Sequence, residues 1–175
     1  MNHDALAIRI AEVAQLSGEF LLRSGLTANT YFDKYQFESD PELLRAVAEH
    51  LAPKIPEGTE LLAGLELGGV PIATALSLHT GIPAVFVRKK AKEYGTAKLA
   101  EGPSIEGKAV TVVEDVITTG GQVVLSTNDL RERGAIVATT LCVIDRQQGG
   151  VENMAKIDIE LRSLFTAADL MATSA

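Results

Sequence analysis

The chain has 175 residues, of which 46% are hydrophobic and 22% are charged, close to the averages of soluble globular proteins. This length suits one domain with its own core, and the composition excludes a disordered tail, a coiled coil and a collagen. Sixteen basic and 23 acidic side chains leave a net charge of −7, which argues against a surface built to bind nucleic acid. No apolar run approaches the roughly 18–20 residues of a membrane span, and the first residues do not resemble a signal peptide. We therefore expect a cytoplasmic protein with no membrane partner.

The cysteine and histidine residues do not predict a metal site or a nucleophile. Cys142, the single cysteine, lies in an apolar run and is expected to be a buried structural thiol. His3, His50 and His79 are far apart and lack the spacing of a zinc site. A hydrolytic triad or a histidine metal site therefore has little support.

Two helices are predicted in the N-terminal third. Apolar residues at helical spacing predict a helix over residues 4–23, closed by Gly25. Asp40-Pro41-Glu42 predicts the start of a second helix, which ends before Pro53, because aspartate caps a helix well and proline fits the first turn. Residues 26–37 are expected to be a loop or an irregular strand.

From residue 60 onward, short apolar strands alternate with helical segments. Continuously apolar strands are typical of a sheet buried on both faces, and the alternation predicts a mainly parallel α/β sheet flanked by helices. The predicted strands are 60–65, 84–87, 109–113, 136–144 and 157–165, the last at an edge, and the helices are 70–79, 122–133 and 166–171. Ligands bind such sheets at the carboxyl ends of the strands, so the loops after the first four strands are the candidate site.

The loop after residue 113 has the composition of a diol site next to an anion site. Glu114 and Asp115 are adjacent acids that can accept hydrogen bonds from two sugar hydroxyls. The residues that follow combine hydroxyls, glycines and a helix N-terminus, which together form an anion cradle. They are Val116, Ile117, Thr118, Thr119, Gly120, Gly121 and Gln122. The pattern is neither a Walker A loop nor Gly-x-Gly-x-x-Gly. It indicates a ribose 5-phosphate, with an ordinary strand-to-helix turn as the alternative.

The loop after residue 65 carries two adjacent glycines. Gly68 and Gly69 allow the backbone to approach a ligand closely, and free amides at Gly69 and Val70 can hold a second anion. A tight turn between strand and helix is the alternative.

The loop after residue 87 is strongly basic. Arg88, Lys89, Lys90 and Lys92 are four of the sixteen basic residues of an acidic chain. Such a cluster attracts a polyanion, although a solvated charged face is the alternative. Nearby glycines and the lack of apolar anchors from residue 97 to residue 107 predict a flexible flap over about residues 89–107, which closes over a substrate.

The loop after residue 144 begins with Asp145 and Arg146. An arginine at the end of a strand can bind a carboxylate through two parallel hydrogen bonds. A surface ion pair with Asp145 or Glu152 is the alternative.

These four loops together resemble the orotate phosphoribosyltransferases of the type I phosphoribosyltransferase family. Val112–Gly121 closely resembles the phosphoribosyl-pyrophosphate (PRPP) signature of that family. Gly64–Pro71 is similar to the pyrophosphate loop of the orotate enzymes, and Arg88–Thr96 is similar to their catalytic loop. The resemblance extends from Tyr31 to Gly150.

The resemblance implies a type I phosphoribosyltransferase fold, with a single domain over residues 1–175 and a small hood over about residues 1–40. It implies transfer of ribose 5-phosphate from PRPP to orotate, giving orotidine 5′-monophosphate and pyrophosphate in pyrimidine biosynthesis. It also implies Mg²⁺ bound mainly through PRPP, with Asp115 contributing at most through a water. The implied assembly is a homodimer in which the flap of one subunit reaches its neighbour's site.

The resemblance also assigns roles to individual residues. Lys92, Arg88 and Asp115 are expected to be catalytic, the two cations by neutralising the leaving pyrophosphate. Thr118 and Arg146 are expected to hold orotate. The expected PRPP-binding residues are Glu66, Gly68, Gly69, Arg88, Lys89, Lys92, Tyr94 and the run from Glu114 to Gln122.

Three features depart from the family pattern. Leu26–Thr30 replaces a segment that usually contains Ser-Pro, Lys34 stands where many relatives have arginine, and Tyr94 stands where many have histidine. A phosphoribosyltransferase for another base is the alternative within the class. A non-catalytic regulator that senses PRPP and binds RNA is the alternative outside it.

Overall fold

A computed structural model describes residues 1–21, 27–89 and 99–172. The strands are β1 (Gln15–Leu21), β2 (Thr27–Phe32), β3 (Leu61–Leu65), β4 (Ala84–Val87), β5 (Ala100–Glu101), β6 (Ala109–Ile117), β7 (Ile136–Asp145) and β8 (Glu160–Thr166). The α-helices are α1 (His3–Ala14), α2 (Tyr35–Glu38), α3 (Pro41–Leu51), α4 (Gly69–Thr80), α5 (Gly121–Glu132), α6 (Gly150–Ala155) and α7 (Ala167–Ala172). A 3₁₀ turn over Ala52–Lys54 follows α3.

The central sheet has six strands in the order β5-β4-β3-β6-β7-β8. Its five longer strands are parallel, and β5 is antiparallel to β4. The predicted mainly parallel sheet is therefore confirmed, as is the edge position of the last strand.

Helices cover both faces of this sheet and enclose two apolar cores. On one face α1, α3 and α4 pack through residues such as Ile10, Val47 and Leu76. On the other face α5 packs through residues such as Val123 and Leu130. Because both faces are covered, the central strands are buried over most of their length, which explains their continuously apolar sequences. No helix among the described residues is long and apolar enough to cross a membrane.

The predicted helix over residues 4–23 is wrong in its second half. Helix α1 ends at Ala14, and the following residues form β1, which pairs antiparallel with β2 from Gln15 opposite Phe32. The N–H of Asp33 donates to the carbonyl of Ala14 at 2.8 Å and fixes this junction. Ser17 and Gly18 are weaker helix formers than the residues of α1, so strand pairing prevails over the apolar spacing. The structure of Gly25 lies outside the described residues.

Helix α3 begins as its sequence predicts. Asp40 Oδ1 accepts hydrogen bonds from the N–H groups of Glu42 at 2.9 Å and Leu43 at 3.1 Å. Pro41 occupies the first turn, and the helix ends at Leu51 before Pro53. This start places α3 directly after α2.

Strand β6 is longer than the sequence suggested. It was expected to end at Val113, but it pairs with β7 as far as Ile117, which lies opposite Asp145. Glu114 and Asp115 are therefore strand residues and not loop residues. Successive side chains of a strand point to opposite faces, so the two acids have different surroundings.

The C-terminal part of the predicted flap is anchored. Leu99 and Ile105 are buried in the core, so the expected lack of apolar anchors after residue 97 is wrong. The N–H of Arg88 donates to the carbonyl of Leu99 at 2.9 Å, and β5 pairs with β4. The prediction of a flap over residues 90–98 lies outside the described residues.

Candidate active site

A polar cavity of about 450 Å³ opens at the carboxyl ends of the central strands. Its lining residues come from the hood, the β3–α4 loop and the β6–α5 connection, together with Lys89. These are Lys34, Tyr35, Glu66, Leu67, Lys89, Glu114, Val116, Ile117, Thr118, Thr119, Gly120, Gly121, Gln122 and Val123. The structure thus brings together most of the residues that the sequence assigned to PRPP.

The β6–α5 connection forms an anion cradle. Helix α5 has 12 residues, and the N–H groups of its first turn lack partners within the helix. Gly120 precedes it with φ of 73°, and a Cβ there would lie 2.8 Å from Met154 Cε. Asn153 of α6 donates to the carbonyl of Thr119 at 2.9 Å and holds the loop from behind. The hydroxyls of this loop and the helix N-terminus together favour a bound phosphate.

The two adjacent acids lie in different places. Glu114 is partly exposed and lines the cavity, whereas Asp115 is fully buried and does not. Asp115 Oδ2 lies 2.5 Å from Lys34 Nζ, and Asp115 Oδ1 accepts from the N–H of Val116. In this state of the protein, Glu114 is therefore the acid that a sugar in the cavity would meet first.

Burial and mutual interaction shift the pKa values of these groups. Burial raises the pKa of Glu114 to about 9, with further contributions from the hydrogen bond to Asp115 and from its charge. Burial alone would also raise the pKa of Asp115, but hydrogen bonds from Glu114 and Lys34 and the charge of Lys34 lower it below its usual value. Burial opposes the charged form of Lys34, yet its contact with Asp115 raises the pKa of the ammonium group. At neutral pH, Asp115 and Lys34 are therefore ionised and Glu114 holds a proton.

The glycines of the β3–α4 loop serve packing inside the protein. A Cβ on Gly68 would lie 1.4 Å from Asp115 Oδ2, and a Cβ on Gly69 would lie 2.2 Å from the carbonyl oxygen of Val113. Neither glycine lines the cavity, although Glu66 and Leu67 do. The N–H of Val70 donates to the carbonyl of Leu67 at 3.2 Å, so the expected free amide at Val70 is wrong.

The described base of the flap contacts the β3–α4 loop. The N–H of Lys89 donates to Glu66 Oε1 at 2.6 Å, and Lys89 lines the cavity. Arg88 Nε lies 3.3 Å from Glu101 Oε1 on β5. The other predicted flap residues, Lys92 and Tyr94, lie outside the described residues.

A second, apolar cavity of about 360 Å³ lies between the hood and the sheet. It is lined by Ala11, Gln15, Tyr31, Phe32, Ile144, Arg146, Ala167, Leu170 and Met171. Arg146 is exposed and forms no ion pair with Asp145 or Glu152, all three of which the structure describes, so the surface ion-pair interpretation is wrong. The N–H of Arg146 donates to the carbonyl of Ile117 at 2.8 Å, which connects this cavity to the cradle. Thr118 lines the polar cavity and Arg146 the apolar one, so the two expected orotate residues lie on either side of this connection.

Sequence reasoning missed two residues of the site. In the sequence, Lys34 stands out only as a departure from the family pattern, and no pattern indicates Glu38. Glu38 is 5% exposed, and the ionisable side chains that act on it are those of Asp115, Lys34 and Asp33. A buried glutamate directly after Phe37 has no distinguishing sequence signal, because acids are also common in exposed helical turns.

Comparison with known proteins identifies the class. Residues 36–163 match the family described as Phosphoribosyl transferase domain, so the sheet and its cradle are those of a phosphoribosyltransferase. An orotate phosphoribosyltransferase from Nocardioides sp. is 55% identical over 173 residues, which are 98% of this chain and 97% of the relative. The chain belongs to the orotate phosphoribosyltransferase family.

Solved structures agree with this assignment. The chain matches the Mycobacterium tuberculosis orotate phosphoribosyltransferase in complex with Fe(III) dicitrate with a TM-score of 0.85 at 29% identity, covering 96% of this chain and 98% of the other. It matches the same enzyme in complex with PRPP with a TM-score of 0.83 at 26% identity, covering 97% and 98%. The expected type I phosphoribosyltransferase fold is therefore confirmed.

Proposed function

We propose that the polar cavity binds PRPP and that the protein transfers its ribose 5-phosphate group to orotate. The products are orotidine 5′-monophosphate and pyrophosphate, as membership of the family implies. The observation that carries the proposal is the anion cradle at the N-terminus of α5, which shares one cavity with Glu114. A related enzyme that has been solved with PRPP supports this choice of ligand.

The groups of PRPP match different walls of the cavity. The 5-phosphate belongs in the cradle from Thr118 to Gly121, where hydroxyls and helix N–H groups meet. The ribose hydroxyls belong at Glu114, with buried Asp115 directly behind it. The pyrophosphate belongs at the Glu66 loop, where Lys89 lines the same cavity and supplies positive charge.

Arg146 would favour orotate over bases that lack a carboxylate. Orotate carries a carboxylate, and a guanidinium group binds a carboxylate through two parallel hydrogen bonds. Arg146 is exposed on the rim of the apolar cavity, where Phe32 and Ile144 offer surface to a flat ring. Thr118, at the neighbouring strand end, holds the base from the other side.

The reaction breaks the bond between C1 of the ribose and a pyrophosphate oxygen and forms a bond from C1 to a ring nitrogen of orotate. That nitrogen gives up its proton to solvent or to the departing pyrophosphate. The electron pair of the broken bond leaves with pyrophosphate, and positive charge develops on C1. The protein lowers the barrier mainly by positioning the reactants and stabilising these charges. The negative charge of Asp115, directly behind Glu114, offsets the positive charge on C1, while Arg88 and Lys92 neutralise the leaving group.

Mg²⁺ fits the donors of the cavity when it enters with PRPP. Glu66 carries carboxylate oxygens of the kind that this ion prefers, Glu114 would offer the same once it loses its proton, and the ion usually keeps several waters. Most of its ligands would come from the phosphates and sugar hydroxyls of PRPP, as the family resemblance implies. When bound, the ion offsets the negative charge of pyrophosphate.

The active assembly in this proposal is a homodimer in which each flap reaches the neighbouring cavity. It rests on the similarity of Arg88–Thr96 to the catalytic loop of the family. We place the enzyme in the cytoplasm, a location that the buried free thiol of Cys142 supports.

One assay tests the proposal. Purified protein is incubated with PRPP, Mg²⁺ and a panel of bases, and the products are identified by mass. Orotidine 5′-monophosphate is the expected product, and it should not form without Mg²⁺. Turnover of uracil or a purine but not of orotate would favour a transferase for another base. Tight RNA binding without any turnover would favour the regulator.

A further inference from the structure

A buried ion pair joins the hood to the strand that carries the acids. Lys34 directly precedes α2, and its Nζ lies 2.5 Å from Asp115 Oδ2 on β6. The side chain of Asp115 is fully buried, and that of Lys34 is 32% exposed. On its other side, Asp115 Oδ2 packs against the backbone of Gly68. The carboxylate is therefore held between the hood and the β3–α4 loop.

A second hood residue, Glu38, faces the same carboxylate. It lies one helical turn after Lys34, and neither of its carboxyl oxygens meets a donor among the described residues. A buried carboxyl group without a donor is more stable when it carries its own proton. Burial and the nearby charge of Asp115 raise the pKa of Glu38 to about 9, so at neutral pH it can donate this proton to Asp115.

The position of Asp115 in turn determines that of Glu114. Asp115 Oδ1 accepts from the N–H of Val116, and Glu114 Oε1 accepts from the N–H of Asp115 at 3.2 Å. A shift of the Asp115 carboxylate would therefore displace the strand backbone from which the Glu114 side chain extends into the cavity.

We propose that Lys34 and Glu38 are positioning residues, which fix the carboxylate of Asp115 and thereby orient Glu114 toward the ribose hydroxyls of PRPP. This inference rests on the proposed function of the polar cavity. It assigns the hood a task at the ribose, in addition to covering the base. It differs from a direct contact of Lys34 with the substrate, because the effect of Lys34 passes through Asp115.

The first experiment changes Lys34 and measures both turnover and binding of PRPP. Lys34→Met keeps the length of the side chain and removes its charge. We expect the KM for PRPP to rise by about tenfold or more, with kcat and the KM for orotate changing less than about threefold, because ground-state binding of the ribose is weakened. Lys34→Arg should restore most of the affinity. Lys108→Met, which breaks a solvent-exposed ion pair of 2.8 Å with Glu60, is the matched control and should leave KM unchanged.

The second experiment asks whether Lys34 acts through Asp115. In an Asp115→Asn background, Lys34→Met should have little further effect on the affinity for PRPP, since the group that it positions is already changed. Full additivity of the two effects would overturn the positioning role and favour a direct contact with the substrate.

Two variants of Glu38 keep the inference testable if Lys34→Met does not fold. Glu38→Gln retains a donor toward Asp115 and should keep the KM for PRPP within about threefold. Glu38→Leu fills the same buried space without a donor and should raise it several-fold. Equal KM values for the two variants would overturn the role of Glu38.

The affinity for PRPP measured by calorimetry compares the same variants without turnover. If the wild-type protein binds PRPP but is inactive, that result would contradict the proposed reaction and not the positioning role.

Discussion

Asp115 Oδ2 occupies the space that a Cβ on residue 68 would need. The distance from that Cβ to Oδ2 would be 1.4 Å, and the distance to Cγ would be 2.3 Å. Glycine at position 68 is therefore a requirement of the buried acid on β6. The β3–α4 loop and the end of β6 therefore pack so closely that a side chain at position 68 would clash with Asp115.

A substitution at this contact should be strongly coupled to Asp115. We expect Gly68→Ala to lower the free energy of unfolding by about 3 kcal/mol, because the added methyl group displaces a buried carboxylate. In an Asp115→Ala background the nearest remaining atom is the Cβ of residue 115, at 3.1 Å, so the cost should fall to about 1 kcal/mol or less. Urea denaturation of the four proteins measures the coupling. Gly121→Ala, where a Cβ has one neighbour at 3.9 Å, is the control; equal costs in both backgrounds would contradict the packing argument.

The charge of Asp115 should matter for activity more than its shape. Asp115→Asn keeps the size of the side chain but weakens charge-assisted hydrogen bonds worth about 1.5–3 kcal/mol each. We expect kcat/KM for PRPP to fall at least about tenfold while the fold stays intact by circular dichroism. Wild-type activity in the Asn variant would mean that this acid is structural.

Arg146 should affect one substrate far more than the other. Arg146→Leu should lower the affinity for orotate by about tenfold or more, because the paired hydrogen bonds to its carboxylate are lost, while the affinity for PRPP changes little. Calorimetry with each ligand separately measures both values. Arg133→Leu, near the far end of α5, is the control. Equal losses for the two ligands would show that Arg146 supports the scaffold.

Lys92 should contribute mainly to the transition state. If its ammonium group meets the pyrophosphate when the flap closes, Lys92→Ala should lower kcat by roughly 10²–10³, with a much smaller change in ground-state affinity. Single-turnover kinetics and PRPP binding separate the two effects.

The same variant tests whether flaps are shared between subunits. Mixing Lys92→Ala with Asp115→Asn, each strongly impaired on its own, should raise activity to about a quarter of wild type, since half of the random dimers are hybrids with one intact site in two. No recovery despite demonstrated subunit exchange would place Lys92 in the site of its own subunit.

The buried acids should make stability depend on pH in a defined direction. Glu38 and Glu114 have pKa values of about 9 in the folded protein, far above the ~4.3 of an unfolded glutamate. Between these values the folded state holds protons that the unfolded state has released, so the free energy of unfolding falls as pH rises. Glu38→Gln should remove as much as about 1.4 kcal/mol per pH unit of this slope, measured by urea denaturation from pH 5.5 to 8.5. The exposed substitution Glu49→Gln should leave the slope unchanged, and an unchanged slope in Glu38→Gln would show that Glu38 is ionised.

The sheet could be predicted because its signals are local. Strands buried on both faces read as apolar runs, and the N-cap at Asp40 marked the start of α3 correctly. The error at β1 has a non-local cause, because pairing with β2 decides its structure and apolar spacing alone does not distinguish the two outcomes.

The site was predicted by motif and not by geometry. The motif led to Glu114 and the cradle, but placing the end of the strand at Val113 concealed that Asp115 is buried and does not line the cavity. Extending the period-two alternation of β6 by four residues would have separated the two acids. Lys34 and Glu38 reach Asp115 through tertiary packing of the hood, which no local pattern indicates.

The backbone hydrogen bond between Arg88 and Leu99 holds the two ends of the intervening chain together. Ten residues can extend over at most about 35 Å, so a chain of this length that starts and ends at one base reaches no farther than about 17 Å from it. Chain length therefore restricts which subunit arrangements permit a shared flap. In any such dimer, the distance from the Arg88–Leu99 hydrogen bond to the neighbouring cavity must not exceed about 17 Å plus the length of a lysine side chain.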